Sequence, residues 1–337
     1  MGQTLRTRAR GDGRTGAERR VGGSRPRRVA VAEAPLPPPM RCVVIVPFLN
    51  EAAHIGTFLR SLAAQSRRPD RVVLVDDGST DDSPATAAAF AAAHDWATLM
   101  RRPPRPPGRD RLAGAPELAA FLWAAERVGE DHDVLVKMDA DLELAPDHFA
   151  RVLRGFEEDP QLGMAGVYLS ARDGDGRLYT ERHPVDHVRG PTRFYRRACF
   201  EQVSPIPVML GWDGADEVRA RARGWQTRSF VLDGAPTLHL RPTGMQDGRL
   251  RACARWGLCA YAVGAHPLGV LGAAALQARG RPWLLGGVAY LWGWLDARRR
   301  RVPRAPLDIR RAKRAEQRRR AGEVLRRRLR RPAAALR

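Results

Sequence analysis

The chain of 337 residues has room for one large domain or two small ones, and a hydrophobic content of 44% supplies a substantial core. Its net charge of +21 lies at the ends: residues 1–39 hold nine Arg against three acids, residues 297–337 hold seventeen Arg and one Lys against three acids, and the stretch between them is neutral. Cys42, Cys199, Cys253 and Cys259 form no C-x-x-C pair, which excludes a disulfide scaffold and gives no sign of a zinc site.

Residues 1–39 are rich in Gly, Pro and Arg and lack the continuous apolar core of a signal peptide, so a disordered leader is expected there. Met40 stands immediately before the first strand pattern and is an alternative start. After it, RCVVIVP reads as a buried strand and EAAHIGTFLRSLAAQ as a helix. RVVLVDD repeats the strand, and SPATAAAFAAAHD is an alanine-rich helix with Pro84 near its start. A Pro- and Arg-rich loop over 101–115, a helix from about Pro116 to Val128 and the buried strand VLVKMDA follow. Strands alternating with helices imply a mostly parallel sheet with right-handed crossovers, in which ligands bind beyond the carboxyl ends of the strands. The polar clusters PFLNE, DDGSTDD and DADLE all fall at such ends.

The third cluster carries two aspartates one residue apart. Side chains in a strand have a period of two, so Asp139 and Asp141 point the same way and together suit one hard cation. The plainer reading is a polar strand end leading into a helix begun by Pro146 and Asp147.

Towards the C-terminus, residues 257–276 contain no charged residue, and PWLLGGVAYLWGWL at 282–295 carries three Trp and one Tyr. His266 and Pro267 interrupt the first run and the second is short, so the expectation is two helices lying in or dipping into a membrane interface, with a buried helix pair as the alternative. The last forty residues read as a basic helix or disordered tail suited to an anionic leaflet. No recognisable nucleic-acid module occurs, so no specific nucleic-acid partner is expected. Arg outnumbers Lys, of which there are only Lys137 and Lys313, in keeping with a GC-rich genome.

IVPFLNE at 45–51, VLVDDGSTDD at 73–82, KMDADLEL at 137–144 and GWDGADEVRARARGW at 211–225, in that order and spacing, resemble the inverting glycosyltransferases of family 2 with the nucleotide-sugar-binding GT-A fold. HLRPTG at 239–244 and AHPLG at 265–269 are similar to a bacterial branch of that family. The resemblance covers about residues 41–270. It implies an α/β fold, with a Rossmann-like, mostly parallel sheet flanked by helices over residues 40–250. A membrane-associated helical extension would then occupy 251–296 and a basic tail 297–337.

The resemblance also implies roles. Asp77 and Asp76 would read the base and ribose of a UDP-, GDP- or dTDP-sugar, with Pro47, Asn50 and Glu51 beside them. From the residues alone Asp76 serves equally as a helix cap, and Asn50 and Glu51 as a helix start. Asp141 would bind Mg²⁺ or Mn²⁺ on the donor diphosphate, with Asp139 facing the ribose or the metal's waters. His239 would complete that site and Arg241 would contact phosphate. The catalytic base falls within GWDGADE, where two registers compete: Asp216 with Glu217 is preferred and Asp213 is the alternative. An acidic helix N-terminus is the plain reading of the same residues. Arg189, Tyr195, Arg196 and Trp212 would shape the acceptor pocket, although arginines on a helix surface explain the 188–200 segment as simply.

The implied function is transfer of a sugar to a glycan or polyprenyl-linked acceptor, in surface polysaccharide synthesis at the cytoplasmic face of a membrane, with a purely cytoplasmic location as the alternative. Specificity would reside in the loops at 101–115 and 171–192. A sugar-phosphate nucleotidyltransferase needs a Gly-rich basic loop after the first strand, where this chain has PFLNEAAH. A non-catalytic membrane or nucleic-acid scaffold would have no need of the retained carboxylates.

Overall fold

The first strand, β1 (Cys42–Phe48), is buried along its whole length. Its side chains alternate between two cores: Val44, Val46 and Phe48 enter one, while Val43 and Ile45 enter the other. Such a strand must be covered on both faces. The helix α1 (Ile55–Ala63) covers the first with Ile55, Phe58, Leu59 and Leu62, a stripe at helical spacing. On the second face lies α3 (Pro116–Ala125), through Leu118 and Phe121.

In this computed structural model the described residues are 39–103, 114–241, 248–280 and 283–329. The expectations for residues 1–38, for most of the 101–115 loop, for 242–244 of HLRPTG and for the last eight residues lie outside them. Met40–Arg337 is one compact unit.

β1 pairs in parallel with β2 (Arg71–Asp76) on one side and β4 (Val134–Met138) on the other, and β2 continues to β3 (Ala97–Arg101). α2 (Ser83–Ala93) connects β2 to β3. Beyond β4 the sheet continues with β9 (Thr192–Arg196), β6 (Leu162–Val167) and β10 (Gln226–Phe230), giving the order β10-β6-β9-β4-β1-β2-β3 among the described residues. β9 runs antiparallel to both neighbours. The chain leaves β1 towards β2 on one side and returns as β4 on the other, so the topological switch point lies between β1 and β4, and in sheets of this kind ligands bind outside the strands' carboxyl ends at that point. The helix α4 (His148–Glu158) adds Phe149, Val152, Leu153 and Phe156 to the first core, while α5 (Arg197–Val203) and α6 (Trp212–Ala222) cover the second.

A smaller sheet forms around the residues that follow Asp141. β5 (Leu142–Glu143) pairs antiparallel with β11 (Thr237–His239), which pairs in parallel with β7 (Leu169–Arg172) and through it with β8 (Leu178–Thr180).

Four helices complete the chain: α7 (Arg249–Ala262), α8 (Pro267–Gln277), α9 (Leu285–Arg299) and α10 (Leu307–Leu329). α7 and α9 meet at glycines, since a Cβ on Gly257 would stand 1.9 Å from the Tyr290 carbonyl oxygen and one on Gly293 1.9 Å from that of Ala254. Among the described residues no helix is long and apolar enough to cross a membrane. The basic segment at 307–329 is helical and returns to the fold, Arg219 pairing with Asp308 at 2.9 Å and Arg221 with Glu316 at 3.0 Å.

Candidate active site

The loops after β1 and β2 are locked to each other. Asn50 sits at φ 56°, a left-handed conformation that Asn tolerates better than most residues, and its Oδ1 accepts from Thr80 N at 2.8 Å. Ser79 Oγ accepts from Asn50 N, Ser83 Oγ from Glu51 N and Asp81 Oδ2 from Ala52 N. Asn50 is therefore a loop clasp, and α1 begins later, at Ile55. Asp76 Oδ1 accepts from the backbone N–H groups of Gly78 and Ser79, so it builds the turn and does not cap α2. Asp77 pairs with Arg102 at 3.0 Å, and Pro47 is buried within β1.

Asp139 and Asp141 leave the end of β4. The ammonium of Lys137, buried in that strand, pairs with Asp139 Oδ1, and Asp139 N donates to the Pro191 carbonyl at 3.0 Å. The pairing of β5 with β11 sets His239 opposite Leu142 and brings its Nε2 to 3.6 Å from Asp141 Oδ1. Ligand atoms of Asp139, Asp141 and His239 all lie within 4.8 Å of one another. At 3.6 Å His239 and Asp141 are too far apart for a good hydrogen bond, and Asp141 Oδ1 and both His239 nitrogens are buried without hydrogen-bond partners. Carboxylate oxygens and an imidazole in want of a partner fit a divalent cation such as Mg²⁺ or Mn²⁺.

Burial would depress the His239 imidazole, but the Asp141 and Glu181 carboxylates outweigh it and push it up to about 9. Burial opposes the Asp141 carboxylate too, yet His239, Arg241 and Lys137 hold it ionised below the usual carboxylate range. Glu51 is pushed up to about 7 by burial, with Arg241 pulling it down and Asp141 and Asp139 adding negative charge. The Arg241 guanidinium links the two loops: it pairs with Glu51 Oε1, and its Nε stands 3.5 Å from Asp141 Oδ2.

The acidic residues of α6 divide by exposure. Asp216 has no exposed surface; its carboxylate pairs with Arg193 and accepts from Tyr195 OH at 2.6 Å and from Glu217 N at 2.6 Å. Burial raises its pKa against the pull of Arg193 and Tyr195. Glu217 is also buried, accepting from Val188 N at 2.5 Å and pairing with Arg221 at 3.1 Å and His187 at 3.2 Å. Burial works against its charge, but His187, Arg193 and Arg221 hold it down at about 2. Asp213, in the first turn, is partly exposed, and among the described residues nothing hydrogen-bonds or ion-pairs its carboxylate. Its Oδ2 would be 3.8 Å from a Cβ on Gly190, next to the Pro191 that holds Asp139.

The segment containing Tyr195 and Arg196 corrects the expectation of acceptor contacts. Residues 192–196 form a strand, not a helix surface, and that strand runs antiparallel to β4. Tyr195 is fully buried beneath Asp216. Arg196 pairs across the ladder with Val134, at the end of β4 remote from the aspartates, where its guanidinium holds the carbonyls of Phe156, Asp159 and Leu162. Trp212 is buried, with Lys137 and Arg193 over its ring and its Nε1 donating to Glu117. Arg189 does reach the site, pairing at 3.0 Å with Glu181, which stands 3.9 Å from His239 Nδ1. Glu181, Lys137 and Arg193 were not picked out from sequence. Lys137 had a signal, being a charge inside an apolar strand, whereas Glu181 follows a short exposed strand and had none.

Residues 43–208 match the model of the family described as glycosyl transferase family 2. Over 150 residues the chain is 29% identical to the polyprenol monophosphomannose synthase of Mycolicibacterium smegmatis, a match covering 44% of this chain and about half, 53%, of that protein. Among solved structures, the mannosyltransferase PcManGT from Pyrobaculum calidifontis, in complex with GDP-Man and Mn²⁺, shares the fold with a TM-score of 0.53. That likeness has 18% identity and covers 77% of this chain and 87% of that one. Residues 43–208 thus form a glycosyl transferase family 2 region with the D-x-D pair at the carboxyl edge of its sheet, and the chain has the GT-A fold.

Proposed function

We propose that this chain is a metal-dependent, inverting transferase that moves a sugar from a nucleotide-sugar to a polyprenyl-linked or glycan acceptor at the cytoplasmic face of a membrane, in building a surface polysaccharide. The observation that carries the reading is the Asp139, Asp141 and His239 group at the carboxyl edge of the sheet. Asp77 takes hydrogen bonds from the donor's base or ribose, beside Pro47, Asn50 and Glu51. Arg241 already bridges Glu51 and Asp141 and is free to turn to a phosphate. Bound Mg²⁺ or Mn²⁺ would supply positive charge for the departing nucleoside diphosphate.

Asp213 is the base in this reading. It is the acid of α6 with an open carboxylate, and it lies next to the loop that fixes Asp139. Asp216 and Glu217 act through Arg193, Tyr195 and Val188, positioning α6 against β9. The named relatives make a mannosyl donor the first to try. The test incubates the full chain with Mn²⁺, membrane lipid extract and GDP-mannose, then UDP- and dTDP-sugars, and follows both transfer and the anomeric configuration of the product. Transfer with inversion supports the reading. Neither transfer nor donor hydrolysis with any sugar, in a protein that still binds lipid or RNA, would instead favour a scaffold.

A further inference from the structure

The helices α8 and α9 form a hairpin whose outward faces are apolar. On α8, Leu268, Leu271 and Leu276 are more than half exposed; on α9, Leu285, Val288, Trp292 and Leu295 are too, at helical spacing along one face. Leu268 is 72% and Trp292 63% exposed, in a protein whose other large apolar side chains are mostly buried. An exposed apolar face of this extent marks a surface that is covered in use.

At its rim, where the start of α8 meets the end of α9, lies a cavity of about 180 Å³ lined by Tyr261, Pro267, Trp294, Arg298, Arg304 and Arg314. The Arg304 guanidinium lies 4.2 Å from the centre of the Tyr261 ring and that of Arg298 5.9 Å from the Trp294 ring. Asp296 neutralises Arg299 and Arg300, but among the described residues no carboxylate pairs with Arg298, Arg304 or Arg314. The Trp294 Nε1 is buried without a partner. Three unneutralised guanidinium groups beside aromatic rings suit a phosphate.

We propose that the α8–α9 hairpin docks on an anionic phospholipid bilayer, its apolar stripes entering the interface while the Arg298, Arg304 and Arg314 pocket receives a lipid phosphate. Charge decides the occupant: a second copy would bring another arginine cluster of the same sign, whereas an anionic leaflet complements it. The helices measure about 16 and 22 Å, short of the roughly 30 Å hydrocarbon core, so they lie in the interface and do not span it. The docked face is joined to the candidate active site. α9 packs on α7 through Gly257 and Gly293, and Cys259 of α7 would lie 3.1 Å from a Cβ on Gly211, the residue that opens α6 and precedes Trp212 and Asp213. The proposal concerns binding to lipid and stands whether or not the transferase reading holds.

The test is flotation of the full chain with vesicles of phosphatidylcholine alone or with added phosphatidylglycerol. The unmodified protein is expected to float with the anionic vesicles, and Leu271→Glu with Trp292→Glu to stay behind. Arg298→Gln with Arg304→Gln is expected to bind about thirtyfold more weakly and to lose its preference for phosphatidylglycerol. Circular dichroism and an unchanged melting temperature confirm that each variant is folded. Flotation that both variants leave intact assigns membrane binding to the basic tail and overturns the proposal. So does loss of flotation in millimolar inorganic phosphate at constant ionic strength, which makes the pocket a site for free phosphate. A dimer in sedimentation velocity that Leu271→Glu with Trp292→Glu disperses, without vesicle binding, assigns the face to a second copy.

Discussion

His239 Nε2 stands 3.6 Å from Asp141 Oδ1, across a strand pair only two residues deep. Neither residue is near the other in sequence, and neither atom has a hydrogen bond. A proton on the imidazole holds the charges together when no cation does so. The folded-state value of about 9 lies above the ordinary 6.5, so the proton's contribution to stability is fully present below about pH 6.5 and is lost as pH rises through 9. The melting temperature of chelator-treated protein should fall across that window. Mn²⁺ must displace the proton, so its stabilising shift should grow over the same range, by up to about tenfold in affinity per pH unit. His239→Gln should flatten both trends; trends that persist in that variant would remove His239 from the ligand set.

Asp213 and Asp216 should respond oppositely to replacement by Asn. Asp213→Asn is expected to leave the melting temperature unchanged and to lower kcat by about 10²- to 10⁴-fold with a hydroxyl acceptor, the range for loss of a general base. A phosphate acceptor is ionised already at neutral pH and should be spared. Full activity of the variant on a hydroxyl acceptor would contradict the assignment.

Asp216→Asn leaves Arg193 buried opposite a neutral group, and removing one partner of a buried pair costs about 3–5 kcal/mol. Denaturant unfolding should show that loss. A stable, inactive Asp216→Asn would make Asp216 part of the chemistry instead.

Gly257→Ala places a methyl group where the Tyr290 carbonyl stands, so α7 and α9 must separate. Overpacking of this kind costs about 1–3 kcal/mol. Hydrogen exchange should quicken in α7 and α9 and stay unchanged in β1 and β4. Unaltered exchange in the helices would show that the seam yields easily.

The edge of the central sheet was legible because its parallel strands are buried on both faces: CVVIVPF, RVVLVD and VLVKM each read as a mainly apolar run, so the polar tips stood out. What sequence could not show was pairing between distant segments. The strand TRFYR carries two arginines and was open to a helical reading, yet Arg193 is neutralised by Asp216, and Arg196 is held by carbonyls, through contacts 23 to 40 residues away in the chain. The choice between Asp213 and Asp216 depended on the same contact, because a dipeptide motif does not reveal which carboxylate is buried. Likewise Glu181 reaches His239 only because β7 and β11 pair. The C-terminal apolar runs read as helices, and helices are what they form, but the arginine pocket joins residues from 261 to 314 and has no local pattern.

The most direct test of the central claim is the thermal stability of the protein against UDP, GDP, dTDP and CMP, each with and without Mn²⁺, beside Asp141→Ala. A ligand that binds the folded state alone raises the melting temperature by mass action. One nucleotide that stabilises the unmodified protein only with Mn²⁺, and does nothing for Asp141→Ala, is the predicted result. An equal shift in both proteins, or none with any nucleotide, would contradict the metal-assisted donor site.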